Sequence, residues 1–505
     1  MNDRIFLLHY LKPLVLLYHY YHSKLIHSLI HSFKNVFQLY FTGLDIGTTS
    51  TKAVVFDISG KVLTQKSISY EMFHHQPNWS EQNPDEIYEA VTECLTFLGK
   101  RSLLETLSMS AAMHSIMVVD ISGKPLTNLI VWADNRAIEI GNKLKASDEG
   151  NEIYHRTGTP IHPFSFLCKI LWLKENEPQI FEKAHKFIGI KEYIWYKIFG
   201  YYEIDESLAS ATGMMNIQDL CWDTKALDLV GITEEKLPKI VSTTFSRTKQ
   251  DKKYFIGGAD GTLANLGTGA IGKNKIAFTM GTSGAVRICV DEYYTDPQMR
   301  TFNYLLSSTQ HVIGGATNNG AIVIQWLKEQ ILQTNASIEE LIDKAQNTPS
   351  GAENLLFLPY ILGERAPVWN ANAKGVFFGL SINHTQAHLT RAVMEGLIMN
   401  LYSIGKILME KFPVDEICAS GGFAKSDFWL QLVADVFQKK VIVTNNVEAS
   451  AWGAVLLALK ALGLEAKTSK KSRLKIFLPD STKAELYDQL HQKFEHLYIK
   501  LQDEF

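Results

Sequence analysis

Two segments far apart in the chain share one plan: FTGLDIGTTSTKAVVFD (41–57) and KIAFTMGTSGAVRICV (275–290). Each is an apolar strand, a glycine followed by hydroxyl residues, and a second apolar strand. Glycine gives such a turn the backbone freedom that a tight reversal needs, and the hydroxyl residues add donors beside it. A lone strand pair is marginal in water and buries its apolar faces only within a larger sheet. The same pair in both halves therefore predicts a duplicated core. A length of 505 residues is likewise too great for one ordinary core.

The stretches around these pairs alternate between strand and helix periodicity. QLYFTGLDIG, STKAVVFDISG and KVLTQKSISY read as three strands, with DISG (57–60) as the hairpin turn between the second and third. Asn83-Pro84 opens an amphipathic helix with acidic residues in its first turn. VVDISGKPL (118–126) repeats VFDISGKVL (55–63) and predicts a second hairpin with the same turn. Helical patterns then run to Ile198. In the second half, HLTRAVMEGLIMNLYSIGKILMEK is a long helix, and ICASGGFAKSDFWLQLVADVF reads as a strand followed by a helix. The alternation predicts an α/β class, with domains at 38–270 and 271–465, a cleft between them, and a C-terminal tail at 466–505.

Charge narrows the function. With 50 basic against 53 acidic residues there is no basic excess of the kind a nucleic-acid binder carries. Five cysteines, far apart and without a CxxC pair, argue against a zinc site or a disulfide framework and fit a reducing, cytoplasmic setting. Residues 1–37 are rich in Leu, Tyr, His and Phe. Lys12 and Pro13 interrupt their apolar run, so no membrane anchor is expected, and the segment reads as a dispensable extension.

GTGAIGKN (267–274) satisfies GxGxxG and nearly satisfies the Walker pattern, but its context is wrong for both. Such loops follow a strand and open a helix, so that helix-end N–H groups face the phosphates. This one follows a helical pattern and enters a strand, and Asn274 stands where a metal-binding hydroxyl belongs. DIGTTSTK (45–52) is better placed. Thr48, Thr49 and Ser50 present successive donors suited to phosphate oxygens, Lys52 adds positive charge, and Asp45 at the strand end suits a hydrated Mg²⁺. Gly281, Thr282 and Ser283 form the matching turn, so a triphosphate would be gripped from both sides.

Taken with SGGFAKSDFWLQLVADVF, these turns resemble the FGGY family of carbohydrate kinases. GVFFGLSINHTQAHLTRAVME (375–395) matches that family's carboxy-half signature, and Lys169 to Trp172 match the KxxW part of its amino-half signature. The resemblance runs from about residue 40 to near 465. It implies a ribonuclease H-like, actin-like ATPase fold in each half, with ATP as phosphoryl donor and Mg²⁺ as cofactor. It assigns the base that takes the acceptor's proton to Asp260, in IGGADGTLANLG; an aspartate capping the following helix would look the same in sequence. It places Gly421, Gly422 and Ser426 at the adenosine, with Gly320 and Gln325 near the nucleotide.

Five segments, among them SAAMHSIMVVD, WADNR and RTGTPIHP, resemble the family's gluconokinase branch. That implies gluconate as the acceptor, with His114, Trp132, Asp134, Arg136 and His162 as its contacts and Arg136 on the carboxylate; Arg136 paired with Asp134 is the alternative. Other acceptors of the family (xylulose, ribulose, glycerol) and a non-catalytic sensor on the same scaffold are the competing readings. The resemblance leaves a homodimer open. One departure stands out: the connection between VSTTFSRT and KKYFIGGAD is shorter than is usual in the family, which predicts altered packing beside Asp260.

Overall fold

The computed structural model describes residues 40–101, 103–272, 274–443, 448–466 and 475–505. The extension at 1–37 lies outside the described residues. Thirteen strands build the two principal sheets. The first half contributes β1 (Tyr40–Ile46), β2 (Ser50–Asp57), β3 (Val62–Ser69), β4 (Thr106–Ala111), β5 (Ser246–Lys249) and β6 (Lys252–Ala259). The second contributes β7 (Lys275–Met280), β8 (Gly284–Val290), β9 (Phe302–Ser307), β10 (Gln310–Thr317), β11 (Glu416–Ser420), β12 (Lys440–Val443) and β13 (Ile476–Phe477).

The spatial orders are β5-β6-β4-β1-β2-β3 and β9-β10-β8-β7-β11-β12-β13. Without the edge strands β5, β9 and β13, the two sheets have the same order, so the duplication expected from the paired turns is present in the topology. In each half the first strand separates an antiparallel hairpin from parallel neighbours: β1 runs parallel to β4 and β4 to β6, while β7 runs parallel to β11 and β11 to β12. Parallel strands end at one edge. The turn after β1, the loop after β4 and Asp260 after β6 are thereby gathered together, at the strand ends where open α/β sheets bind ligands. In β2, Ala53 to Phe56 are all buried, because both faces of this sheet are covered.

Two helices occupy equivalent places after the last parallel strand of each half, α2 (Asp260–Gly267) and α5 (Ala449–Ala461). A Cβ on Gly267 would stand 1.9 Å from the Ala449 carbonyl oxygen, and one on Gly453 would stand 2.0 Å from that of Leu263. Only glycine lets these backbones meet, and the Ser450 hydroxyl donates to the Asp260 carbonyl at 3.1 Å across the same contact. Elsewhere, α1 (Pro84–Gly99) is capped by Asn83 as expected, and α4 is Asp427–Phe437. The long apolar helix α3 (Gln386–Lys411) has the length and composition of a membrane span, yet it is largely buried in the second half.

One expectation is modified. The DISG turn recurs in detail, with Asp120 accepting from the Ser122 and Lys124 N–H groups as Asp57 does from Ser59 and Lys61. No full hairpin follows it: a single Val119–Pro125 bridge closes the turn, flanked by the Asp120 N–H to the Lys124 carbonyl and the Leu126 N–H to the Val118 carbonyl, and residues 117–119 pair with 186–188 on their other edge. Residues 475–505 pack against the second half. Their β13 pairs with β12, and α6 (Ala484–Leu501) sends Tyr487, Leu490, Phe494 and Leu497 into the core of the second half.

The short connection before Asp260 is a hairpin of β5 and β6, turned at Gln250 and Asp251 with φ of 50° and 61°. Two left-handed residues are what a type I′ turn needs, and glutamine suits that region poorly. Exchanging Gln250→Asn together with Asp251→Gly is expected to stabilise the fold by about 1 kcal/mol without changing activity; denaturant titration and a turnover assay check it. From this turn β6 stays paired with β4 as far as Ala259, with a register shift at Gly257 (φ 69°). A Cβ there would lie 1.7 Å from the Met109 carbonyl oxygen.

Candidate active site

A cavity of about 260 Å³ opens where the two strand-end edges face each other. The first half lines it with Thr48, His114, Trp132 and Asp260, and the second with Ser283, Arg287, Tyr304 and Arg365. Phe164, Phe302 and Trp369 complete its apolar walls.

Asp260 is the first residue of α2, and Ala259 occupies the cap position. The carboxylate accepts the N–H of adjacent Gly261 at 2.7 Å, so it is not spent on capping N–H groups further into the helix. Burial raises its pKa to about 6, the neighbouring charge of Asp45 adds to the rise, and Arg287 and Arg365 oppose it. At neutral pH it is mainly ionised and able to take up a proton.

Arg287, on β8, and Arg365, in the loop after residue 361, bring two guanidinium groups to this space. Burial lowers the first to about 10 and the second in the same direction. Arg365 donates to the Thr317 carbonyl at 3.0 Å and lies over the Trp132 ring, 4.9 Å from its centroid. Each guanidinium keeps a buried Nε–H without a protein acceptor. His114 Nδ1 lies 3.0 Å from the Ala211 carbonyl, which only accepts, so that nitrogen carries the proton. The other ring nitrogen is then an acceptor, 3.4 Å from the Tyr304 hydroxyl. Burial holds His114 well below the usual imidazole range, so the ring is neutral. The site thus combines a carboxylate, two cations, a neutral hydrogen-bond acceptor and aromatic walls, which suits a small polar anion bearing hydroxyls.

Residues 40–257 match the N-terminal domain, and residues 276–462 the C-terminal domain, of the FGGY family of carbohydrate kinases. The chain belongs to this family. It is 43% identical to the gluconokinase of Bacillus subtilis (strain 168) over 450 residues, covering 84% of this chain and 88% of that relative. The crystal structure of gluconate kinase from Lactobacillus acidophilus superposes with a TM-score of 0.87 at 35% identity, over 92% of this chain and 98% of that one. Ligand-bound xylulose kinase from the same organism gives 0.88 at 36% identity, with the same two coverages. This FGGY chain is accordingly a carbohydrate kinase of mixed α/β, two-domain fold, and its family uses ATP with a small sugar-type acceptor.

The other expected site residues of this kinase are placed unevenly. His162 stands behind the wall: its ring lies 4.9 Å from Phe164 and 5.7 Å from Trp369, with a buried Nε2 that has no partner. Arg136 and Asp134 do not line the cavity. Arg136 is bonded to Glu81 at 2.5 Å and to Asp134 at 2.8 Å, and it stacks on Trp79 at 3.6 Å. Asp134 is fully buried and also accepts from the Ser80 N–H. The assignment of Arg136 to a substrate carboxylate is therefore corrected: its charge is saturated in fastening residues 79–82 to the Trp132 loop. Arg287 and Arg365 are the cavity's cations. Arg287 lies in MGTSGAVR (280–287) and Arg365 in LGERAPVW (362–369), and their spacing alone assigns neither a role.

At the first turn the Gly47 N–H donates to the Ser50 carbonyl at 3.0 Å, and the Thr48 hydroxyl accepts the Trp132 indole N–H at 2.9 Å. Thr49 is exposed, and Lys52 is paired with both carboxylate oxygens of Glu448 at 3.0 Å. At the second turn Gly281 donates to Ser283 at 2.8 Å, and Gly320 donates to Thr282 at 3.1 Å. Gly421 abuts this turn, since a Cβ there would lie 2.4 Å from the Met280 carbonyl oxygen, and no atom stands within 4 Å of where a Cβ on Gly422 would be. Ser426 caps α4 by accepting from the Trp429 N–H, and the Gln325 amide bonds to Glu329.

Asp45 accepts the Ser110 hydroxyl at 2.7 Å. Burial raises its pKa and Glu448 adds to the rise, while Ser110 and Lys52 counter it. Among the described residues no cluster of three metal-ligating side chains exists. Two neighbouring carboxylates do fit Mg²⁺, which takes one or two from the protein and the rest from phosphate and water.

Proposed function

We propose that this kinase moves the γ-phosphoryl group of ATP to the terminal hydroxyl of D-gluconate, giving 6-phosphogluconate and ADP. The observation that carries this reading is the pair of half-buried guanidiniums, Arg287 and Arg365, sharing a cavity with Asp260. Neither forms a salt bridge among the described residues, and one carboxylate, Asp260, faces both; a neutral sugar adds no charge to balance the second cation, whereas an aldonate supplies the anion. Relatives named gluconokinase support it from the sequence side.

The acceptor's hydroxyl oxygen bonds to the γ-phosphorus as the bond to the leaving ADP oxygen breaks, and its proton passes to the Asp260 carboxylate. His114 accepts from a second hydroxyl, and Trp132, stacked under Arg365, limits how the chain of carbons lies. The Thr48 and Ser283 turns face the phosphates from opposite halves. Asp45, with Asp260 beside it, would hold Mg²⁺, whose charge offsets that of the polyphosphate.

The alternative is a pentulose acceptor, favoured by the likeness to the xylulose kinase structure. ADP release measured over gluconate, xylulose, ribulose and glycerol separates the two. Gluconate is expected to lead in kcat/KM by at least about tenfold, as one charge-assisted contact allows. Xylulose equal to or ahead of gluconate would reject the assignment.

A further inference from the structure

Lys169, in the KxxW motif, is fully buried. Among the described ion pairs it has no carboxylate partner; burial lowers its pKa to about 7, and Asp134, which opposes that fall, is already bonded to Arg136. Its ammonium instead donates to two main-chain carbonyls, His114 at 2.7 Å and Val131 at 2.8 Å. These carbonyls belong to separate loops, one following β4 and the other running on from residues 129–130, and the side chains that line the cavity are His114 itself and Trp132, next to Val131.

His114 has φ of 65°, in the left-handed region. For a residue with a β-carbon that conformation costs ~1–2 kcal/mol, so it persists only where the surroundings hold it. A buried donor on its carbonyl is such a hold. The same ammonium fixes the start of the Trp132 loop, whose indole reaches the Thr48 hydroxyl in the first phosphate turn.

We propose that Lys169 is a positioning residue for acceptor binding: its buried ammonium pins the His114 and Val131 carbonyls and so aims the imidazole and the indole into the cavity. This rests on the reading of the cavity as the acceptor site. A lysine buried only to fill space would be replaceable by methionine, which matches its length without its donors.

The test uses the full chain and steady-state kinetics with gluconate. Lys169→Met is expected to raise the acceptor KM about tenfold or more while the KM for ATP stays within about twofold. His114→Ala should raise the acceptor KM by a similar factor. If Lys169 acts through His114, the double variant should show clearly less than the product of the two single factors. Should the methionine variant fail to fold, Lys169→Gln, a shorter neutral donor, is read in the same way. An acceptor KM unchanged in the Lys169 variant, or multiplicative effects in the double variant, would overturn the inference while leaving the acceptor site standing. An unchanged KM in His114→Ala would remove the acceptor-site reading and the inference together.

Discussion

Asp260→Asn is expected to lower kcat by about 10²–10⁴-fold, the usual worth of a positioned general base, while leaving nucleotide affinity within about twofold. The amide keeps the shape of the carboxyl group and its contact with the Gly261 N–H but has no basic oxygen for the acceptor's proton. The variant should not be less stable than the parent. Burial and Asp45 both disfavour the ionised carboxylate, so the native state carries a penalty there that asparagine lacks. The pH dependence of activity and of stability should run in opposite senses. The base works only when ionised, and with its pKa at about 6 the acceptor kcat/KM should fall as pH drops through 6. A cation beside Asp45 would move that limb lower. For stability, a carboxyl group whose folded pKa is raised binds its proton more tightly in the native state. Its penalty is present above pH 6 and relieved as pH falls from there towards the unfolded value near 4. Asparagine should abolish the activity limb and flatten this part of the stability profile. A variant with near-parental kcat would exclude Asp260 as the base.

Arg365→Met should raise the gluconate KM about 100-fold, a loss of ~3 kcal/mol for a charge-assisted contact made in a buried site. Neutral polyols should lose less than about threefold, and ATP binding should be unaffected. The substitution removes the guanidinium's bond to the Thr317 carbonyl, but the loop has other anchors. Glu364 anchors it through the Thr317 hydroxyl at 2.5 Å, the Asn318 N–H at 2.9 Å and the Asn400 amide at 2.8 Å. Lys145, from the first half, donates to the Val368 and Trp369 carbonyls at 3.1 and 2.8 Å. Removing a half-buried cation that forms no salt bridge among the described residues should leave the melting temperature largely unchanged. Kinetics over gluconate and xylulose decide the matter: equal losses on both would show that Arg365 does not read a carboxylate.

Much of the fold was legible because its signals are local. Glycine turns between apolar strands, the capped helix at Asn83 and the 3.6-residue period of α3 each state their structure within a few residues. The motif-bearing positions Thr48, His114, Trp132, Asp260 and Ser283 meet in one cavity. The errors arose where a side chain's direction matters. WADNR offers an arginine of the right charge beside a tryptophan that does line the site, yet burial next to Glu81 and Asp134 turns it into a structural clamp. Tyr304 and Phe302 gave no signal, since alternate residues of a strand look alike from either face until the sheet is assembled.

By itself the sequence determined the class of fold, the duplication and two glycine-hinged turns rich in hydroxyl residues, because backbone propensity and short-range hydrogen bonding encode these. Only the tertiary structure decided which cations face the cavity. That choice depends on which carboxylates are in bonding reach after residues far apart in the chain are brought together: Arg136 forms salt bridges with two, whereas Arg287 and Arg365 form none among the described residues and stay directed at the cavity.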